Sequence, residues 1–153
     1  MTILLQHPKY ARICRQRQKT NIISVLVAGF RKPNLMPHPV EIKVHQVSRL
    51  VEIAFDNGAS FKLPFEFLRV YSPSAEVRGH GPGQEVLQAG KKDVGVAKLE
   101  PVGNYAIQIY FSDGHNTGIY SWDYLHELGE KQTPWWNAYL ERMQQAGASR
   151  EAK

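Results

Sequence analysis

A short pattern occurs twice, and it restricts the fold more than any other feature of the chain. Residues 51–68 read V-E-I-A-F-D-N-G-A-S-F-K-L-P-F-E-F-L, and residues 107–125 read I-Q-I-Y-F-S-D-G-H-N-T-G-I-Y-S-W-D-Y-L. Val51, Ile53, Phe55 and Gly58 match Ile107, Ile109, Phe111 and Gly114 at an offset of 56. Glu66, Phe67 and Leu68 match Asp123, Tyr124 and Leu125 at an offset of 57, so the second copy carries one extra residue. Apolar alternation of this kind makes a half-buried strand. Asn-Gly and Asp-Gly predict tight hairpin turns with positive φ at both central residues. Each copy therefore predicts strand, turn, strand and a short helix. The copies differ after the turn glycine, where Ala59 stands in the first and His115 in the second.

The flanking sequence extends this plan. Val40, Ile42 and Val44 alternate with polar residues, which predicts a preceding strand, and Ser48-Arg49 predicts a turn. Pro64 ends the strand Ser60–Leu63, because proline has no N–H for the ladder, and it suits the first turn of a helix. Phe65, Leu68 and Val70 are the expected buried side of that helix. Residues 71–92, rich in glycine and proline, predict a long surface loop with a short strand over 85–88. Strands resume over 93–102 and 105–111, joined at Gly103-Asn104, and residues 116–120 return after Asp113-Gly114. Ser121 is the expected N-cap of a helix over 122–128, with Gly129 past its end. Thr133-Pro134 predicts the start of a last helix, on which Trp136, Tyr139, Leu140 and Met143 share a core face. The tail 147–153 is polar and expected to fray. The predicted fold class is α+β: an antiparallel β meander of six or seven strands, with a pseudo-repeated hairpin–helix unit and short helices covering one side.

Charge points to a partner only on a superficial count. The chain has 153 residues and a net charge of +5. Residues 1–35 hold seven basic residues and no acid, whereas residues 36–153 hold 12 basic and 14 acidic ones. A nucleic-acid footprint belongs on the fold itself, so neither nucleic acid nor membrane is the expected partner. The apolar run from Ile22 to Phe30 is too short to span a bilayer, which needs about 20 residues. Residues 1–35 read as a basic leader, disordered or a non-native start, with translation from Met36 as the simplest account of the compositional break. The domain is expected over 36–146. The single cysteine, Cys14, lies in the leader, so no disulfide or thiolate metal site forms within the chain.

Chemistry-bearing residues are few. The loop Arg78-Gly79-His80-Gly81-Pro82-Gly83 has backbone N–H groups for an anion, but it lacks the Gly-Lys-Ser/Thr of a P-loop and is better read as turn chemistry. Asp113-Gly114-His115-Asn116 puts a carboxylate, an imidazole and an amide at one hairpin tip. None of the six histidines is followed two residues later by Asp or Glu, so the iron-binding His-x-Asp/Glu element is absent. No Gly-x-Ser-x-Gly elbow, His-Glu-x-x-His helix or dinucleotide fingerprint occurs.

The stretch Phe111–Leu125, F-S-D-G-H-N-T-G-I-Y-S-W-D-Y-L, resembles the gamma-butyrobetaine-hydroxylase-like N-terminal domain family. So does Phe67–Gly81, F-L-R-V-Y-S-P-S-A-E-V-R-G-H-G. The resemblance covers about residues 38–130, and the chain looks like a stand-alone bacterial member. In the eukaryotic carnitine-pathway hydroxylases this domain precedes the oxygenase domain and holds a structural zinc through three cysteines and a histidine. Laid on this chain, those positions fall on Ser72, Ser74, Val77 and His115. Zinc favours thiolate and imidazole over a hydroxyl, so the resemblance implies no cofactor and no metal ligand set here. Hydroxylase activity is likewise not implied. Related domains attached to P-loop ATPases of iron–sulfur cluster assembly imply a cytoplasmic adaptor with a protein partner, acting in iron–sulfur or redox-enzyme maturation. No catalytic residue is expected; the expected binding face is Arg69, Ser72, Ser74, Arg78, His80, Asp113 and His115. The rival expectation is a small metal-dependent protein or enzyme that uses His80, Asp113 and His115.

Overall fold

The computed structural model describes residues 2–5, 12–14, 22–27, 36–79 and 83–152. Among the described residues the elements follow in the order β1 (Thr2–Leu5), β2 (Arg12–Cys14), β3 (Ile22–Val27), β4 (Pro39–His45), β5 (Leu50–Phe55), β6 (Ser60–Pro64), α1 (Phe65–Val70), α2 (Ala75–Arg78), β7 (Val96–Val102), β8 (Ala106–Phe111), β9 (Ile119–Ser121), α3 (Trp122–Glu130) and α4 (Gln132–Gln145). The fold is α+β. One sheet has the order β2-β1-β3-β4-β5-β6 and the other β7-β8-β9. From residue 36 onward the pairings are antiparallel; β1 and β3 pair in parallel. Of the leader only the backbone of β1–β3 is described, and its other residues lie outside the described ones.

The internal repeat is larger than the sequence pattern. In the β4–β5 pair, Ile42 faces Ile53 and Val44 faces Val51, and the register shifts between Pro39 and Glu41. In the β7–β8 pair, Leu99 faces Ile109 and Pro101 faces Ile107, and the register shifts between Val96 and Lys98. The two irregularities occupy equivalent places, so each copy includes the strand before the hairpin.

The hairpin turns match each other and differ from the expected type. Phe55 N–H donates to Ala59 O at 2.8 Å and Gly58 N–H to Phe55 O at 3.1 Å. Phe111 N–H donates to His115 O at 2.9 Å and Gly114 N–H to Phe111 O at 3.1 Å. Only the glycines take positive φ, 88° at Gly58 and 86° at Gly114. These are three-residue loops closed by a glycine bulge, not two-residue turns. The side chains explain the choice. Asn57 Oδ1 accepts from Ala59 N–H at 3.0 Å, and Asp113 Oδ1 from His115 N–H at 3.3 Å. Such Asx bonds hold the residue before glycine away from the left-handed region.

The chain forms two compact units, Met1–Leu63 with Trp122–Glu130, and Pro64–Ser121 with Lys131–Lys153. In the first, Ile42, Val44, Val51, Ile53, Leu63, Leu125 and Leu128 are fully buried. The His126 ring of α3 lies edge-on to Phe55 and Phe61 at 5.0 and 5.3 Å, and Asn57 Nδ2 stands 3.1 Å from His126 Nε2. In the second, Tyr120 O–H donates to Leu68 O at 2.7 Å, tying β9 to α1. Each hairpin thus packs against the helix that belongs, in sequence, to the other copy.

Four local expectations change. Residues 85–88 form no strand, although Val86 N–H donates to Val77 O at 2.9 Å. The last helix starts at Gln132 rather than at Pro134, which falls in its first turn. Tyr139 and Met143 form its buried face with Val70, as the periodicity predicts. The tail is held: Arg150 Nε and Nη2 donate to both oxygens of buried Glu66 at 2.8 and 2.6 Å, and Gly90 N–H and Lys92 N–H donate to Ser149 O and Arg150 O. Gly129 lies inside α3 rather than past its end, because a Cβ there would stand 2.2 Å from Phe61 Cγ. Gly129→Ala should therefore lower stability by about 1–3 kcal/mol through overpacking, despite alanine's better helix propensity. A urea midpoint unchanged or raised would refute that role.

Candidate functional site

The second unit gathers most of the expected site residues around one histidine. Arg69, in the last turn of α1, is buried, and its guanidinium forks. Nε donates to Asp113 Oδ2 at 2.9 Å and Nη1 to Gln88 Oε1 at 3.0 Å. Lys91 Nζ donates to the same Asp113 oxygen at 2.7 Å. Burial pushes the Asp113 carboxyl up, but the Lys91 ammonium, the Arg69 guanidinium and the His115 N–H outweigh it, and the net direction is down. The carboxylate stays ionised, as two cations require. Its other oxygen accepts the His115 N–H, so the ion pair sets the hairpin tip that carries the imidazole.

His115 is 6% exposed, and both its ring nitrogens have partners. Nε2 stands 2.8 Å from Ser72 Oγ, and Nδ1 stands 3.1 Å from Glu76 Oε2. A carboxylate only accepts, so Nδ1–H donates to Glu76 and Nε2 of the neutral ring accepts the Ser72 hydroxyl. Burial lowers the His115 pKa from its ordinary 6.5, Arg69 adds to this, and Glu76 opposes it. Ser74 N–H donates to Ser72 Oγ at 3.4 Å, and Thr117 Oγ1 donates to Glu76 Oε1 at 3.3 Å. The Ser74 hydroxyl is buried without a hydrogen-bond partner among the described residues.

Serine, histidine and carboxylate in this order have the connectivity of a nucleophilic triad. The surroundings do not suit one. Ser72 is 1% exposed, and a Cβ on Gly118 would stand 2.2 Å from its Oγ, so no acyl group fits beside the hydroxyl. The relay ties the start of the 71–92 loop to the β8–β9 hairpin.

The same places fail the zinc test on donor chemistry. Ser72, Ser74 and Val77 offer two hydroxyls and a methyl surface. Two ligands of one tetrahedral zinc stand roughly 3.6 Å apart, from bond lengths near 2.0 and 2.3 Å. Ser72 Oγ and His115 Nε2 have closed to hydrogen-bond distance, 2.8 Å. Among the described residues no group of three His, Cys, Asp or Glu side chains is placed to hold a metal.

Of the seven expected residues, the structure brings together Arg69, Ser72, Ser74, Asp113 and His115. Arg78 ends α2 and is exposed; His80 lies outside the described residues. Glu76 and Lys91 were not among the expected residues. Glu76 stands four residues after Ser72 and four before His80 in the sequence, a spacing that carries no motif. A separate cleft of about 350 Å³ is lined by Pro64, Phe67, Gln132, Thr133, Trp136 and Asn137, with no titratable side chain. Among the described residues no helix is long and apolar enough to cross a membrane.

Comparison with known proteins gives a consistent picture. The family described as gamma-butyrobetaine hydroxylase-like, N-terminal, matches residues 42–126. Two proteins solved by solution NMR are 44% and 48% identical, over 77% and 81% of this chain and 93% and 92% of theirs, each with a TM-score of 0.68. A crystal structure of a protein of unknown function from Acidithiobacillus ferrooxidans, of the DUF971 family, is 41% identical over 60% of this chain and 92% of its own, with a TM-score of 0.51. No curated protein matches the chain.

Two outcomes check the site. Ser72→Ala leaves Nε2 of His115 buried without a donor and should cost about 1–3 kcal/mol in a denaturant titration. Because the folded pKa of His115 lies below 6.5, the unfolded chain binds more protons as pH falls below that value. This contribution is complete above pH 6.5 and is lost as pH falls toward the folded pKa. Stability should decline as pH falls below about 6.5, with a shallower decline in His115→Gln. Equal slopes in the two proteins would remove His115 from the account.

Proposed function

The chain belongs to the gamma-butyrobetaine hydroxylase-like, N-terminal family, and we propose that it is a non-catalytic binding module, an adaptor for a protein partner. The observation that carries this reading is the use made of its polar residues. Arg69, Ser72 and His115 are buried and spend their hydrogen bonds on neighbouring elements, so they build the surface rather than present it. What a partner meets is the exposed rim above them: Glu76, Arg78, Asp113 and Thr117. We propose further that it takes no structural zinc, that neither nucleic acid nor membrane is its partner, and that it works in the cytoplasm in iron–sulfur or redox-enzyme maturation. The maturation role rests on the resemblance to domains attached to cluster-assembly ATPases.

The metal-dependent alternative needs His80, Asp113 and His115 as ligands or acid–base groups. Asp113 is held by two cations, and both His115 nitrogens are engaged. The adaptor reading asks for no rearrangement of these groups and is preferred.

Affinity purification of the untagged protein, followed by the double variant Arg78→Glu/Thr117→Arg, tests the face. The wild-type chain should co-purify with maturation proteins, and the variant should lose them with its thermal unfolding unchanged. A folded variant that keeps every partner would displace the interaction from this rim.

A further inference from the structure

We propose that the face shared by α1, α4 and residues 90–92 is a binding site for an extended peptide segment carrying an arginine, and that the chain's own C-terminal tail fills it in cis until a partner's segment takes its place. The site is distinct from the Glu76–Thr117 rim and does not depend on it. Its central group is Glu66, the second residue of α1, whose buried carboxylate needs a cation of matching geometry. The tail supplies one. Arg150 Nε and Nη2 donate to both Glu66 oxygens at 2.8 and 2.6 Å, a bidentate match that lysine does not make. The same guanidinium lies over the Trp136 ring of α4, 5.0 Å from its centre. Two main-chain donors complete the site: Gly90 N–H reaches Ser149 O at 2.9 Å, and Lys92 N–H reaches Arg150 O at 3.0 Å. Gly90 lets the two main chains approach, since its φ is 68° and a Cβ there would stand 3.5 Å from Ala152 Cα.

Most of what holds the tail is what any such segment offers. The two acceptors are main-chain carbonyls, and one side chain reaches the buried carboxylate. The Lys92–Glu151 pair is exposed on both sides and adds little. The Arg150 side chain is 37% exposed and the Glu66 side chain 8%, so the arginine can return to water while the carboxylate must find a new partner. The tail can also leave without unwinding α4. Ala148 N–H donates to Met143 O at 3.0 Å and Gly147 N–H to Gln144 O at 3.1 Å, with φ 59° at Gly147, so the helix is closed before Ser149. Trp136 lines the cleft of about 350 Å³ as well, beside Phe67, Gln132 and Asn137. A segment longer than the tail therefore meets further aromatic and amide surface next to the arginine site.

The test uses the full chain and the synthetic peptide Ala-Ser-Arg-Glu-Ala, which repeats residues 148–152. Binding is read from the NMR shifts of the Gly90 and Lys92 amides. Arg150→Ala withdraws the tail's own guanidinium and should bind the peptide about tenfold or more tightly than the wild-type chain, where the tethered tail competes at an effective concentration of about a millimolar. A peptide with lysine in place of arginine should bind about tenfold more weakly. Glu66→Gln in the Arg150→Ala background should abolish the gain. A folded Arg150→Ala chain that does not bind the peptide, or that takes the lysine peptide equally well, overturns the proposal. If Arg150→Ala does not fold, the wild-type chain decides. Peptide at roughly ten times the effective concentration should move the Arg150 Nε–H signal to that of a free arginine while the Gly90 and Lys92 amides stay bonded. A tail that stays bound under that excess is an integral part of the fold, and the proposal falls. Tail contacts that strengthen with protein concentration would place a second copy's tail in the site and overturn the assignment in cis.

Discussion

A buried guanidinium must find acceptors for its donors, and the second unit is arranged around the solution found for Arg69. Removing one partner of such a pair costs several kcal/mol, because the remaining charge cannot be returned to water. Arg69 holds Asp113 on one side and Gln88 on the other. Asp113 in turn takes the His115 N–H, which places the imidazole between Ser72 and Glu76. Gln88 lies beside Tyr139, whose O–H donates to the Gln88 carbonyl at 2.9 Å. Burial, with the Glu66 charge next, pushes the Tyr139 phenol up to about 12, so it remains a donor. One charge pair therefore positions the hairpin tip, the histidine relay and the loop that docks on α4.

The repeat gives this contact a counterpart. Asp113 occupies in the second copy the place of Asn57 in the first, and His126 occupies the place of Arg69. Asn57 meets His126 as Asp113 meets Arg69. In both units a residue of a short helix reaches the turn of the other copy's hairpin. The duplicated scaffold keeps the contact while its chemistry diverges, from an amide and an imidazole to a carboxylate and a guanidinium. His115 entered on the charged side only; its equivalent is Ala59.

Much of this was legible in the sequence, for identifiable reasons. Alternation located β4, β5 and β8, since each buries one face. The helical spacing of Tyr139 and Met143 located α4's inner side. That Pro39–His45 and Val96–Val102 belong to the repeat was not legible, because they share a bulge and a register but almost no side chains. The turn type was misjudged because an Asx bond competes with the geometry that Asn-Gly favours. Which helix packs on which hairpin was not legible at all: local pattern gives the order of elements, and the exchange arises only in assembly. The resemblance drew attention to Ser72, Ser74 and His115, but nothing in it singled out Glu76, which completes the relay.

The exchanged helices set the order in which the chain can finish folding. The hairpin over 50–64 waits for α3, which ends at Glu130, and α1 waits for the hairpin that closes at Ser121. A chain emerging from the ribosome can form its first hairpin early, yet that hairpin keeps Phe55 and Phe61 without their cover until some 65 further residues have been made. Contacts this distant in sequence are the slow ones to close. The duplication that simplifies the architecture thus delays its completion, and an apolar hairpin stays uncovered throughout that interval.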